Sequence, residues 1–167
     1  MILTIWRHGA AGSAATDRQR ELTSIGRDDV GFGCHRFFEH CSTRDLPHPD
    51  LILYSEWLRT TETADIIAGA FSHAALQGSS ALIPGSSVAA VDARLEPLFA
   101  AGISPAHLVL VSHQPLVSAL VDYFLGDRGL VEPLSPGGLA CLQLDVAAAG
   151  CASLVFSAQP PQYEMIR

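Results

Sequence analysis

The chain is expected to fold as an α/β sandwich around a mainly parallel sheet, and three observations carry that expectation. Short apolar runs of strand length alternate with longer stretches of helical spacing, in the order β-α-β-α-β-α-β-β. The runs Ile2-Leu3-Thr4-Ile5-Trp6, Asp50-Leu51-Ile52-Leu53-Tyr54 and His107-Leu108-Val109-Leu110-Val111 are nearly continuous in apolar residues, as buried parallel strands are. Each then stops at polar residues that open a loop or a helix, and in open α/β sheets ligands bind just beyond such strand ends.

The bulk properties set the bounds. A chain of 167 residues suits a single domain, 1–167, which buries roughly 70% of its unfolded surface without a disulfide or metal. Hydrophobic residues make up 49% and charged residues 16%, which argues against disorder. The net charge of -7 disfavours nonspecific binding to nucleic acid or to an anionic membrane. The four cysteines, Cys34, Cys41, Cys141 and Cys151, form no CxxC pair and read as reduced thiols. The first apolar run is too short for a signal-peptide core and lacks a basic leader, and no stretch approaches the roughly 20 apolar residues of a membrane span. A cytoplasmic domain is expected.

Taken in order, the first strand delivers Arg7 and His8 to its C-terminal end and gives way to the small residues Gly9-Ala10-Ala11-Gly12-Ser13. A helix is expected from Thr23 or Ser24, either of which can cap it, to about Cys41; Gly31 and Gly33 weaken it, so packing must hold it. Pro47-His48-Pro49 breaks the chain before the second strand. Ser55 follows that strand, and Leu58, Thr63, Ile66, Ile67 and Phe71 mark the next helix, with Arg59 in its first turns, where the dipole and free N–H groups favour an anion. Ser72 to Val91 reads as a loop-rich connection with one short strand near Ala81-Leu82-Ile83, followed by Asp92–Pro97 as an extended segment. The strand from His107 ends at Ser112-His113-Gln114-Pro115, and Leu116, Val117, Leu120, Val121 and Phe124 recur at helical spacing. Leu139–Leu144 and Ala152–Ser157, with Gly150 between, close the chain as an antiparallel hairpin.

Three strand ends thus supply Arg7 and His8, Arg59, and His113. If they are adjacent, two guanidiniums and two imidazoles converge with no acidic residue among them. That set suits a phosphoryl group. Arginine forks bind phosphate oxygens in pairs and stay charged at any working pH. In a water-poor cleft they also spread the charge of the transferring group, and a nearby imidazole can act as nucleophile.

Arg7-His8-Gly9 after a first strand resembles the signature of the histidine phosphatase superfamily, whose fold is shared with the phosphoglycerate mutases. Ser55-Glu56-Trp57-Leu58-Arg59-Thr60-Thr61-Glu62-Thr63-Ala64 is similar to its second block, S-P-x-x-R-A-x-Q-T-A, and Val111-Ser112-His113 to its third. Leu22-Thr23 followed by Gly26, the run Ser112-His113-Gln114-Pro115-Leu116-Val117, and Gly137-Gly138-Leu139-Ala140 look most like the SixA-type phosphohistidine phosphatases. The resemblance implies a phosphoglycerate mutase-like three-layer sandwich with helices on both faces of the sheet. It implies His8 as the phosphorylated nucleophile, and Arg7, Arg59 and His113 as holders of the phosphoryl oxygens. Gly9 and Arg20 would flank the substrate, and no metal or organic cofactor is implied. The substrate would be a phosphohistidine-bearing protein; a carrier with a basic surface would be drawn by the -7 charge in a salt-dependent way.

Two residues depart from the family pattern. Glu56 stands where many relatives have proline, and Pro97 stands two residues after Leu95, where the mutases carry their proton-donating glutamate. Glu96 is the adjacent candidate general acid, but on an extended segment it would face the other way. A placed acid is worth about 10²–10⁴-fold for an alkoxide leaving group, whereas imidazole is readily protonated near neutral pH. A site without the acid therefore favours P–N bonds. Two other readings stand beside this one: a phosphatase for a small phosphate monoester using Glu96, Asp17 or Glu132 as acid, and a noncatalytic phosphate-binding module. Asp17–Arg20 is expected to be a solvated loop, Trp57 a packing residue, and His107 exposed.

Overall fold

The computed structural model describes residues 1–100 and 104–166. Its strands and helices follow as β1 (Ile2–Arg7), α1 (Ser24–Thr43), β2 (Leu51–Tyr54), α2 (Leu58–Ala70), β3 (Ala75–Gly78), α3 (Val88–Ala100), β4 (His107–Ser112), α4 (Leu116–Leu125), β5 (Leu139–Leu144) and β6 (Ala152–Ala158). The strands form one mixed sheet in the order β3-β2-β4-β1-β5-β6. Neighbours from β3 to β1 run parallel; β1 with β5, and β5 with β6, run antiparallel.

Side chains alternate across a strand, so consecutive residues of β1 serve different cores. Leu3 and Ile5 pack in a cluster with Val91 and Leu95 of α3 and Leu120 and Phe124 of α4. Ile2 and Trp6 belong to a second cluster with Val30 and Phe37 of α1 and Ile67 of α2. This double burial explains why β1 and β4 read as continuous apolar runs. Thr23 caps α1, its hydroxyl accepting the Gly26 N–H at 3.0 Å, and Val30, Cys34, Phe37 and Cys41 recur along the buried face.

The structure corrects the middle of the chain. The short strand is β3 at Ala75–Gly78, and Ala81-Leu82 instead belongs to a 3₁₀ turn over Ser80–Leu82, with Ile83 just past its end. Leu82 is apolar because it is buried, its carbonyl taking the Ser112 hydroxyl at 2.7 Å. β3 is an edge strand with three exposed residues, so no apolar run announces it. Asp92–Pro97 is helical, not extended: α3 runs through Pro97, and burial of Val91 and Leu95 outweighs the lost helix hydrogen bond.

His107 is buried, not exposed. Its Nδ1–H donates to the Pro47 carbonyl at 2.7 Å, and its Nε2 accepts the Thr4 hydroxyl at 2.8 Å. A strand-initial histidine with both nitrogens satisfied can sit in the core, and burial pushes its pKa down to about 4. The four cysteines are free thiols, three of them buried. Among the described residues, no helix is long and apolar enough to cross a membrane.

Candidate active site

The site follows from register. β4 lies between β2 and β1, all parallel, with Arg7 opposite Ser112 and Tyr54 opposite Val111. Parallel neighbours end on the same side of a sheet, so the residues just past each end become neighbours too. The His8 N–H donates to the Ser112 carbonyl at 3.1 Å, and the Ser55 N–H to the Val111 carbonyl at 3.1 Å. The ring centroids of His8 and His113 lie 5.0 Å apart. Arg59, the second residue of α2, reaches His8 across the strand ends and is almost fully buried.

The hydrogen bonds of His8 define its tautomer. Nδ1 lies 2.7 Å from the Gly9 carbonyl, which only accepts, so Nδ1 carries the proton. Arg59 has only donors, and its Nε lies 3.1 Å from His8 Nε2, so Nε2 carries the lone pair. Burial lowers the pKa of His8 to about 4; the Gly9 hydrogen bond opposes this, and Arg59 and Arg7 lower it further. The ring is therefore neutral at physiological pH, with a nucleophilic nitrogen aimed at a guanidinium.

His113 is neutral for related reasons: burial, then His8 and Arg59, push its pKa down to about 3. Its Nε2 lies 2.8 Å from Ser55 Oγ, while its Nδ1 is buried without a partner. Ser55 Oγ accepts the Trp57 N–H at 3.5 Å and lies 2.8 Å from His113 Nε2, to which we assign its hydroxyl proton. With Nε2 as acceptor, Nδ1 must carry the ring proton. Arg7 donates from Nη1 to the Leu134 carbonyl at 2.8 Å, and its Nε is also buried and unpartnered. Burial lowers the Arg7 pKa. Two orphan donors thus stand in one cationic cup. Buried donors without partners are rare and call for an explanation; an anion supplies one.

Further residues complete the cup. The Trp57 ring lies 5.6 Å from His113 and beneath the Arg59 guanidinium at 5.0 Å, so it forms a wall of the site rather than core packing. Asp17 is not merely solvated: its carbonyl accepts from Arg59 Nη1 at 2.6 Å and its carboxylate from Nη2 at 3.2 Å. Thr63 on α2 accepts the Gly9 N–H at 3.1 Å. The sequence offered Asp17 only as an alternative acid, not as a partner of Arg59, and nothing in it marked the Leu134 carbonyl, because neither lies at a strand end or on a periodic face.

Gly9 offers no free N–H to a substrate, since Thr63 takes it; Gly9 orients the His8 ring instead. It must also be small, because a Cβ there would sit 2.8 Å from the Gly26 carbonyl oxygen and 2.9 Å from Val30 Cγ2. Arg20 braces the loop after His8, donating to the Gly12 carbonyl at 2.7 Å, the Ala11 carbonyl at 3.3 Å and Asp17 Oδ1 at 3.0 Å. Glu62 ties that loop to α2, accepting the Leu22 N–H at 2.7 Å and Arg27 at 2.6 Å.

Glu96 is not near the cup. It lines an open cleft with Asp92, Phe99, Val146 and Ala147, and the adjoining cleft shares the last three with Met1 and Leu144. Met1 precedes β1 and His8 follows it, so Glu96 lies about a strand length away, on the order of 20 Å at 3.3 Å per residue. The helical course of α3 is the cause: it carries Glu96 along the sheet toward the far end. Glu132 is exposed. Among the described residues, no three His, Cys, Asp or Glu side chains gather to hold a metal.

No protein-family model matches the sequence, and a search of curated proteins finds no match. Solved structures do match. A SixA protein histidine phosphatase complexed with tungstate is 24% identical with a TM-score of 0.75, over 96% of this chain and 97% of that one. SixA from Agrobacterium tumefaciens is 22% identical with a TM-score of 0.73, over 95% of this chain and 98% of that one. A mycobacterial glucosyl-3-phosphoglycerate phosphatase is 17% identical with a TM-score of 0.64, over 92% of this chain and 96% of that one. At these identities the likeness speaks for the fold, and the fold of this chain is the one that SixA and the mycobacterial phosphatase share.

Proposed function

We propose that the chain is a phosphatase of the histidine phosphatase superfamily that removes the phosphoryl group from a protein histidine through a phospho-His8 intermediate. The observation that carries this reading is the neutral His8, pinned by Gly9 with its Nε2 lone pair directed at Arg59 Nε, inside a cup with two unpartnered donors, Arg7 Nε and His113 Nδ1. In the first step Nε2 attacks phosphorus and the P–N bond to the substrate histidine breaks. The departing imidazole keeps the bonding electrons and takes a proton from solvent. In the second step water attacks phospho-His8, releasing orthophosphate and restoring the neutral ring. Arg7, Arg59 and His113 hold the phosphoryl oxygens and offset the charge that builds on them.

Several features support the reading. The likeness to SixA spans nearly the whole chain, and that SixA was solved with the oxyanion tungstate. We read the two apolar clusters as the two sides of a three-layer sandwich. Free buried thiols suit a reducing compartment, and we place the protein in the cytoplasm.

The test is turnover of a phosphohistidine peptide. Replacing His8 by Ala should abolish phosphate release while the fold melts as before, and radiolabelled phosphate should be trapped on His8 in the wild type. Unchanged release by the His8→Ala protein would refute the mechanism. A second reading is hydrolysis of a small phosphate monoester; the carboxylate beside Arg59 disfavours Asp17 as its acid, because Arg20 and Arg59 hold it ionised. It is distinguished by comparing rates on phosphohistidine with those on a panel of sugar phosphates and nucleotides.

A further inference from the structure

We propose that Asp17 is a specificity-determining residue: an internal anion that an incoming phosphoryl group must displace, and that screens substrates by charge. The proposal rests on the phosphoryl-transfer reading above and goes further by naming what sorts the substrates. Arg59 has three donor nitrogens, and all are engaged: Nε by His8 Nε2 at 3.1 Å, Nη1 by the Asp17 carbonyl at 2.6 Å, and Nη2 by the Asp17 carboxylate at 3.2 Å. Asp17 therefore occupies the Arg59 edge that a phosphoryl group would use.

Position adds direction. The Arg59 side chain is 5% exposed and that of Asp17 is 52% exposed, so the carboxylate stands between the guanidinium and solvent. A substrate arriving from solvent meets Asp17 first. The loop is held there by construction: Arg20 binds Asp17 Oδ1 at 3.0 Å and braces Gly12 and Ala11, while Glu62 fastens Leu22 and Arg27. Hydrogen bonding from Arg20, with Arg59 beside it, holds the Asp17 carboxyl below its usual range, so it is ionised in use.

Two consequences follow from a fixed negative charge at this place. Free orthophosphate, which has nothing to gain beyond the cup, must compete with Asp17 and binds weakly, which limits product inhibition. A leaving group that carries its own carboxylate is repelled, because like charges close together are destabilising. An imidazole leaving group is not repelled when neutral, and once protonated at its second nitrogen it donates an N–H to the carboxylate. The cup thus favours phosphoryl groups on histidine over phosphate esters with additional negative charge.

The test is Asp17→Asn, which keeps the backbone carbonyl and the side-chain shape but removes the charge, with Asp17→Ala as a second variant. Orthophosphate binding is measured by calorimetry at low and high salt, and kcat/KM is measured for a phosphohistidine peptide and for phosphoglycerate. Both variants should bind orthophosphate about three- to tenfold more tightly at low salt, with the gain shrinking at high salt. The kcat/KM ratio of phosphohistidine to phosphoglycerate should fall by a similar factor. Unchanged or weaker orthophosphate binding, or an unchanged ratio, overturns the proposal. If the wild type turns over neither substrate, the phosphatase reading fails, while orthophosphate binding still decides the role of Asp17.

Discussion

Ser55 offers a sharp perturbation because one hydroxyl sets which nitrogen of His113 carries the proton. In the wild type the Trp57 N–H donates to Ser55 Oγ, Ser55 donates to His113 Nε2, and the ring proton is left on the unpartnered Nδ1. Ser55→Ala removes the hydrogen bond to Nε2 and leaves that buried atom unpaired, which costs about 1–3 kcal/mol if the tautomer stays as it is. Moving the proton does not recover this cost, since an Nε2–H would be equally unpaired. Without the hydroxyl both tautomers become available, and in the Nε2–H form Nδ1 turns from a donor into a lone pair facing the phosphoryl group. Losing one such donor at a reacting oxyanion typically costs about 10²–10³ in kcat. We therefore expect kcat on a phosphohistidine peptide to fall in step with the loss of the Nδ1–H form, about tenfold where that form drops to a tenth. The melting temperature should fall by only a few degrees, about 2–4 °C per kcal/mol at this chain length. Ring nitrogen shifts from NMR report the tautomer directly, with Nδ1–H expected in the wild type and a mixture with Nε2–H in the variant. A Ser55→Ala protein that keeps its kcat while Nε2–H accumulates, or whose His113 stays wholly protonated on Nδ1, would refute the reasoning.

Other expectations concern packing and pH. A Cβ on Gly26 would fall 2.1 Å from the Ala10 carbonyl oxygen, whereas one on Gly31 meets nothing within 4 Å. Gly26→Ala should destabilise by about 1–3 kcal/mol and lower kcat by shifting the loop after His8, while Gly31→Ala should stabilise by about 0.5–1 kcal/mol; denaturant titration of both checks this. The folded pKa values of His8 and His107 near 4 and of His113 near 3 lie below the ordinary histidine value of 6.5, so the unfolded chain binds more protons in between. Stability should be full above about pH 6.5 and fall as pH drops toward 4, His107 alone contributing about 3 kcal/mol to the loss. His107→Gln should flatten that slope in melts across the range. If His8 is the nucleophile, kcat/KM should hold from neutral pH down to near 4 and fall below it; an acid limb near pH 6.5 would contradict the neutral buried ring.

Some of this molecule is written locally. The apolar runs at Ile2–Trp6 and Leu108–Val111 are buried on both faces, and burial on both faces leaves a signal that needs no knowledge of the partner. The Thr23 cap and the repeat of Val30, Cys34, Phe37 and Cys41 are likewise set within a few residues. Arg7, His8, Arg59 and His113 were legible as candidates because each follows a recognisable run, and their meeting depends only on β1, β4 and β2 lying side by side. β3 was missed because an edge strand with exposed side chains borrows its identity from the Leu51–Tyr54 strand it pairs with. Glu96 was misjudged because Pro97 disguised a helix whose formation is driven by contacts of Val91 and Leu95 far away in sequence.

The chain by itself determined which chemistry is available: cations and imidazoles at strand ends, with no carboxylate written among them. Only the tertiary structure decided how that chemistry is controlled. The protonation of each ring, the two orphan donors, the Trp57 wall and the Asp17 carboxylate on Arg59 all depend on atoms brought together from distant segments. The reason is one of range. Propensity and periodicity act over a few residues, whereas hydrogen-bond partners and burial, which set a nitrogen's charge and lone pair, are properties of a place in space.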